Sequence, residues 1–459
     1  MIRRSAPLAA ALLLFAPFAG GCSSDPPEAH IVVTVGQEAD AFSQEPKVVS
    51  VVVQAYAPDG SLVATATSTP GGTLDFGEIA DDAQLAFEVT GVDAQGTTQV
   101  RGRSLGAIAL SSLTGPLPVF VQRVNQWARP PGLLPQTHVG GVASVGAERY
   151  LLLGGGTVDK ETEPDEVELY DLLGLGGFGV TDLVRVPTTM VPRGSSSLLV
   201  DATGASTLNL GTGVATDVAR PTGLASYALV AGGTPVDASD GRTFVVGGTR
   251  TNDPTHPTKS VLLAGAGGAL SAISLVHERA GATALWVEGV GLVVIGGSAV
   301  APGIEILGPT AAKFVALDLF PADATVGAGA VIDGLHSVVL IGGTLNGAPA
   351  PIRRLDPTCD KDCAPTPITG SDPSIALTSV HAYTLGGGRF FIVGDEIATP
   401  SQTRAFALQL GVSATELPLR APRRGAAVSP APNGTLAILG GRLVADDTAA
   451  LSVEMLFPQ

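Results

Sequence analysis

Short apolar runs that end in glycine recur along the C-terminal three-quarters of the chain. They read Tyr150-Leu-Leu-Leu-Gly154-Gly155, Thr243-Phe-Val-Val-Gly247-Gly248, Leu292-Val-Val-Ile-Gly296-Gly297, Val338-Val-Leu-Ile-Gly342-Gly343 and Leu436-Ala-Ile-Leu-Gly440-Gly441. Phe390-Phe-Ile-Val-Gly394-Asp395 is a weakened copy. Unbroken apolar runs of this length predict strands covered on both faces. The glycines mark places where the chain turns in a crowded spot without a Cβ. Gly247 to Gly296 is 49 positions, Gly296 to Gly342 is 46, Gly342 to Gly394 is 52 and Gly394 to Gly440 is 46. The 93 positions from Gly154 to Gly247 leave room for two units, and Leu208-Asn-Leu-Gly211-Thr-Gly213 is the candidate hidden copy. That makes seven units, with six as the alternative count. A fixed period of this size predicts a repeat architecture in which each unit is covered by its neighbours.

Nearer the N-terminus the pattern changes to strict alternation. Val49, Val51, Val53 and Ala55 alternate with Ser50, Val52 and Gln54, and Pro58-Asp59-Gly60 turns the chain into a hairpin with Leu62 to Thr67. Leu85, Phe87 and Val89 alternate again, and Leu117 to Val124 forms a further strand. About seven short strands here predict an immunoglobulin-like β-sandwich. The expected fold class is therefore all-β, with this sandwich preceding a ring of repeat units.

Each glycine pair follows a basic or small stretch: His138-Val-Gly-Gly, Arg193-Gly-Ser, Glu278-Arg279-Ala-Gly, Arg423-Arg424-Gly-Ala. Several precede a third strand, as in Val167-Glu-Leu-Tyr170-Asp171, Ile304-Glu-Ile-Leu307 and Val453-Glu-Met-Leu-Phe457. Over about Gln126 to Gln459 this resembles the kelch repeat, whose usual Tyr and Trp are mostly lost here. The resemblance implies a β-propeller of four-stranded blades. The last unit stops after its third strand. Gln122 to Ala128, with Trp127, stands where a fourth kelch strand would, so it is expected to complete the C-terminal blade.

The first residues change the picture of where the protein resides. Arg3 and Arg4 precede an apolar stretch from Leu8 to Phe18, and Ala19-Gly20-Gly21 leads into Cys22. The stretch suits a secretion signal and is too short to span a bilayer. Small residues before cysteine resemble the bacterial lipobox, which implies cleavage before Cys22 and its lipidation. The expected layout is signal peptide 1–21, tether 22–29, β-sandwich 30–121 and propeller 122–459. Ser23 and Ser24 favour the outer membrane, so the expected partners are the membrane, through the lipid, and an envelope protein or glycan. The net charge of −16 with no Lys/Arg-rich block argues against nucleic acid. With Cys22 lipidated, Cys359 and Cys363 remain as a pair, read as a disulfide in an oxidising compartment rather than half of a metal site.

Candidate chemistry is sparse. The chain has six His and five Tyr, and no phosphate loop, nucleophile elbow or zinc-protease motif. His138 and His381 fall on first strands of units and read as structural, as do His277, His336 and His256. Arg193, Arg279, Arg423 and Arg424 read as equivalent unit starts forming structural ion pairs. The acidic run Asp159, Glu161, Glu163, Asp165, Glu166 lacks the glycine of an EF-hand and reads as a solvated loop. No cofactor or metal is expected. The sequence-based expectation is a non-catalytic binding or scaffolding propeller using one loop face, with a carbohydrate-active lyase, epimerase or oxidase as the alternative. Three or more titratable groups converging near the axis would favour the enzyme.

Overall fold

Seven separate antiparallel sheets follow one another along the chain, six of four strands and the first of five, where Ile2–Arg3 adds an outer strand beside Gly176–Val180. We describe them from a computed structural model covering residues 2–3, 31–74, 76, 83–113, 115–158, 167–181, 183–247, 257–368, 375–398 and 401–458. Each sheet is a blade whose first strand lies innermost. These inner strands are Val142–Gly146, Thr189–Arg193, Thr234–Asp237, Thr283–Val287, Gly329–Ile332, Leu377–Gly386 and Ala427–Pro430, for blades 1 to 7. Inner strands of successive blades pack side by side from blade 1 to blade 6, and the inner strand of blade 7 packs against that of blade 1. The protein is therefore a seven-bladed β-propeller.

The ring closes with residues far apart in sequence. Blade 7 takes its fourth strand from Trp127–Ala128, which pairs with Met455 and Leu456. Trp127 is 1% exposed. Its indole N–H donates to the Leu417 carbonyl at 3.0 Å, and its ring meets Phe391 edge-on. One aromatic thereby joins the end of the chain to blade 6.

The second strands are the apolar runs, and nearly all of their residues are buried between blades. Glycine pairs at positive φ end them in blade 4 (Gly296, Gly297), blade 5 (Gly342, Gly343) and blade 7 (Gly440, Gly441). A Cβ on Gly441 would stand 2.5 Å from the Arg424 carbonyl. In blade 1 the positive-φ pair is Gly155–Gly156, and Gly154 is the last strand residue. Gly247 has no positive φ, but a Cβ there would meet the Leu229 carbonyl at 2.3 Å.

Blades 2 and 6 depart from the sequence pattern. In blade 2 the second strand is Ser196–Val200 and the third is Ala205–Asn209, so Leu208 to Gly213 is not the hidden glycine-pair strand. Asp201 replaces the pair: its carboxylate accepts the N–H groups of Thr203 and Gly204 and makes the turn with a side chain. In blade 6 the strand Arg389–Glu396 runs straight through Gly394 and Asp395 without turning.

The N-terminal module contains seven strands linked in one ladder, Ile31–Thr34 to Leu117–Arg123 to Thr98–Arg103 to Gln84–Val92 to Ser50–Tyr56 to Leu62–Ser68, with Ile108–Ala109 beside Gln84–Val92. The alternation read from the sequence matches its burial, since Val51, Val53 and Ala55 face the core with Leu85, Phe87 and Val89. Both end strands contribute to that core, so the sheet is rolled over it. Only three residues separate its strand Leu117–Arg123 from the propeller-closing strand. Arg129 pairs with Glu38 at 2.8 Å, and the Gln37 N–H donates to the Arg129 carbonyl at 2.9 Å, so the module is fastened beside the closure.

Candidate active site at the seam of blades 6 and 7

Blade 6 breaks the repeat rule at the point where the chemistry gathers. Its inner strand carries an extra residue: Thr378 pairs with Asp395, whereas His381 pairs with Val393. Ser379 takes up the slack at φ 52°, in the left-handed region. Such a bulge reverses which face the following residues occupy. Val380, Ala382 and Ile392 consequently pack toward blade 5, while Tyr383, Phe391 and Val393 pack toward blade 7. His381 shares the blade 7 face with them, and so does Asp395, two residues beyond Val393 on its strand. Without the extra residue His381 would face blade 5.

The space it faces is wider than at the other seams. The inner strands of blades 6 and 7 are the least closely apposed pair in the ring. The His381 ring is therefore open to water. Protein nonetheless surrounds it closely enough that desolvation lowers its pKa below the ordinary histidine value. A recess has both properties together; a convex surface has not. Burial likewise pushes the Tyr383 phenol well above its ordinary value. Burial raises the Asp395 carboxyl too, against the opposing effect of the Thr403 hydroxyl, which donates to its Oδ1 at 2.8 Å. Thr403 in turn accepts the Ala426 N–H of blade 7 at 3.3 Å. Three titratable groups thus share one face, and each is shifted toward its neutral form.

A cleft of about 220 Å³ opens along the third and fourth strands of blade 6, lined by Gln402, Thr403, Arg404, Glu416, Leu417 and Pro422 among others. Arg404 is held between two carboxylates, Glu396 and Glu416, the latter at 2.5 Å. Those partners keep its pKa raised.

The arginines read from sequence take other roles. Arg279, the last residue of blade 3's fourth strand, and Arg423, just ahead of blade 7, are fully buried and pair with Glu305 at 3.1 Å and Glu454 at 2.7 Å, on the third strands of blades 4 and 7. Both glutamates also accept two backbone N–H groups from the chain entering the blade. Blade 5 reverses the charges, with Arg353 on the third strand bonded to Asp323 at 3.0 Å. His138 takes the arginine position in blade 1, where its Nδ1 bonds the Gly155 carbonyl at 2.7 Å. Arg193 is not equivalent to these, because it ends an inner strand rather than preceding one. Arg424 pairs on the surface with Asp447. Cys359 and Cys363 are disulfide-bonded, with the Cα atoms 5.6 Å apart. Cys22, Gly248, His256 and the acidic run from Asp159 to Glu166 lie outside the described residues. Among the described residues, no three His, Cys, Asp or Glu side chains gather as a metal site would need.

The fold and seam define a propeller with an ionisable recess between two blades. No protein-family model and no curated protein matches the chain. Similar solved structures include AztD of Citrobacter koseri, at 12% identity and TM-score 0.35 over 82% of this chain and 97% of that one. A gluconolactonase of Xanthomonas campestris aligns at 11% identity and TM-score 0.37 over 77% of this chain and 93% of that one. A luciferin-regenerating enzyme aligns at 11% and 0.37 over 70% and 92%. These likenesses concern the fold alone. Two of them carry an enzyme's name, and the fold by itself decides neither for nor against catalysis. The expectation of a non-catalytic scaffold, and of no enzyme, is corrected accordingly. The bulge that turns His381 to the face carrying Asp395 has no mark in a one-residue pattern.

Proposed function

We propose that the chain is an envelope enzyme that moves protons on a carbohydrate, in the manner of a lyase or epimerase. One observation carries this reading: His381, Tyr383 and Asp395 share one face of blade 6 at an open seam, each shifted toward its neutral form. A histidine with a lowered pKa is neutral at pH 7 and available as a general base. A carboxyl with a raised pKa retains its proton to higher pH and can return it as a general acid. Tyr383 supplies a neutral hydroxyl, and Thr378 and Thr403 add further hydroxyl partners for a polyhydroxylated substrate. Fold alone would not support an activity, so the reading rests on this site.

The kelch relationship belongs to the same proposal. It is supported by the glycine pairs and by the Arg–Glu pairs that recur between blade entry and third strand. Lipidation at Cys22 and an outer-membrane location are proposed on the lipobox resemblance of the first residues.

The test is hydrogen exchange in D₂O. The protein is incubated with a panel of saccharides, and deuterium entering substrate C–H positions is followed by NMR. The expected result is wash-in for at least one saccharide, slowed by about 10²-fold or more in His381→Gln. Wash-in unchanged by that substitution, or none across the panel, overturns the proposal.

A further inference from the structure

The strand that closes the ring also reaches the face that carries His381 and Tyr383. The Trp127 ring lies edge-on to Phe391, with the centroids 5.7 Å apart. The Phe391 ring lies 6.4 Å from that of Tyr383, its directly opposed partner on the inner strand of blade 6. Trp127 and Phe391 are buried, and all three rings pack in the apolar cluster between blades 6 and 7. An aromatic ring turns on only two side-chain torsions, so a ring wedged against its neighbour fixes that neighbour's orientation. Tyr383 stands two residues beyond His381 on the same strand face.

Trp127 is itself clamped from two sides. Its indole N–H donates to the Leu417 carbonyl, just past the last strand of blade 6, and its own carbonyl accepts Arg420 Nε at 2.7 Å. On the other side Arg129 gives its backbone N–H and its Nε to the Glu38 carboxylate of the N-terminal module, at 2.7 and 2.8 Å. Other seams are drawn together at their inner strands. The Thr189 hydroxyl of blade 2 donates to the Gly233 carbonyl ahead of blade 3 at 3.1 Å, and Thr283 of blade 4 donates to the Ala328 carbonyl ahead of blade 5 at 2.7 Å. The inner strands of blades 6 and 7 are the least closely apposed, so the clamp on Trp127 sets the width of their seam.

We infer that Trp127 is a positioning residue for the site at this seam, acting through Phe391 on Tyr383 and on the width of the recess that holds His381. Its effect on turnover rests on the proton-transfer reading; its effect on the His381 ring does not. A loosened stack admits water to the recess and lets Tyr383 turn, so a substrate still binds but meets misplaced groups.

NMR titration of His381, together with wash-in kinetics on the full mature chain, tests the inference. Trp127→Leu is expected to move the His381 midpoint up toward the ordinary value of about 6.5. It should also lower kcat for wash-in by about tenfold or more with KM little changed. Trp127→Phe, which keeps a ring against Phe391, is expected to restore both in large part. Phe244→Leu changes a buried ring between blades 3 and 4, and is expected to weaken the fold while leaving both readouts alone. Should Trp127→Leu not fold, Phe391→Leu breaks the stack at its middle and carries the same expectation. An unmoved midpoint in a folded variant of the stack overturns the inference. So does an equal movement in Phe244→Leu, a failure of Trp127→Phe to recover, or a moved midpoint with wash-in unchanged. If the unaltered protein shows no wash-in, the proton-transfer reading falls, and the midpoint, read without substrate, decides the positioning by itself.

Discussion

The hydroxyl of Thr403 donates to the Asp395 carboxylate at 2.8 Å across two strands of blade 6. This bond favours the ionised form and opposes the burial that raises the Asp395 pKa. Thr403→Val removes it, so the pKa should rise further. With Asp395 acting as the acid, the alkaline limb of the kcat/KM profile should move to higher pH. The lost bond and the freed Ala426 N–H should together cost about 1–3 kcal/mol, read from urea unfolding.

Asp395 should also weaken the fold at neutral pH. Its folded pKa lies above its unfolded one, so its stabilising effect is present at low pH and lost as pH rises through the folded value. Asp395→Asn is therefore expected to raise the melting temperature at pH 7–8 while suppressing wash-in. A residue retained only for packing would not show that opposition.

Arg423 and Glu454 give a prediction about stability alone. Both are fully buried, and Arg423 also donates to the Ser452 carbonyl at 2.8 Å. Arg423→Met leaves a buried carboxylate without its cation and should cost about 3–5 kcal/mol in chemical denaturation. Arg423→Met with Glu454→Leu should recover part of that loss. Arg424→Met, which breaks a surface pair, should change stability by less than about 1 kcal/mol.

Acid should loosen blade 1. Burial lowers the His138 pKa below the unfolded value, so between the two values the unfolded chain binds more protons. Stability is then complete above the ordinary histidine range and falls as pH drops below about 6.5. Urea midpoints measured from pH 8 to pH 5 should show this decline, and it should be shallower in His138→Gln.

Ser379 should be an outlier among serines. At φ 52° it occupies a conformation that glycine adopts freely. Ser379→Gly should be neutral or stabilising and keep wash-in. Ser379→Val should cost about 1–2 kcal/mol and slow wash-in by disturbing the bulge that aims His381.

The ring was legible in sequence because its rule is local. An apolar run between two neighbouring sheets must be apolar on both sides, and that shows at every repeat from Tyr150 to Leu439. Closure by Trp127 was legible as well, since a missing fourth strand has to be supplied from somewhere. The seam was not. His381 follows an apolar alternation into which Ser379 inserts a residue, and only the cross-strand register reveals the change of face. A trace was available in Asp395, which stands where other units carry their second glycine. Blade 2 misled for a related reason: Asp201 makes with its side chain the turn that glycine makes elsewhere.

The most direct measurement is the NMR titration of the His381 imidazole, assigned by comparison with His381→Gln. The expected midpoint lies clearly below the ordinary value of about 6.5, with the ring neutral at pH 7 and still in contact with solvent. A midpoint at or above that value would mean the ring stands on ordinary surface, with no desolvated recess at the seam.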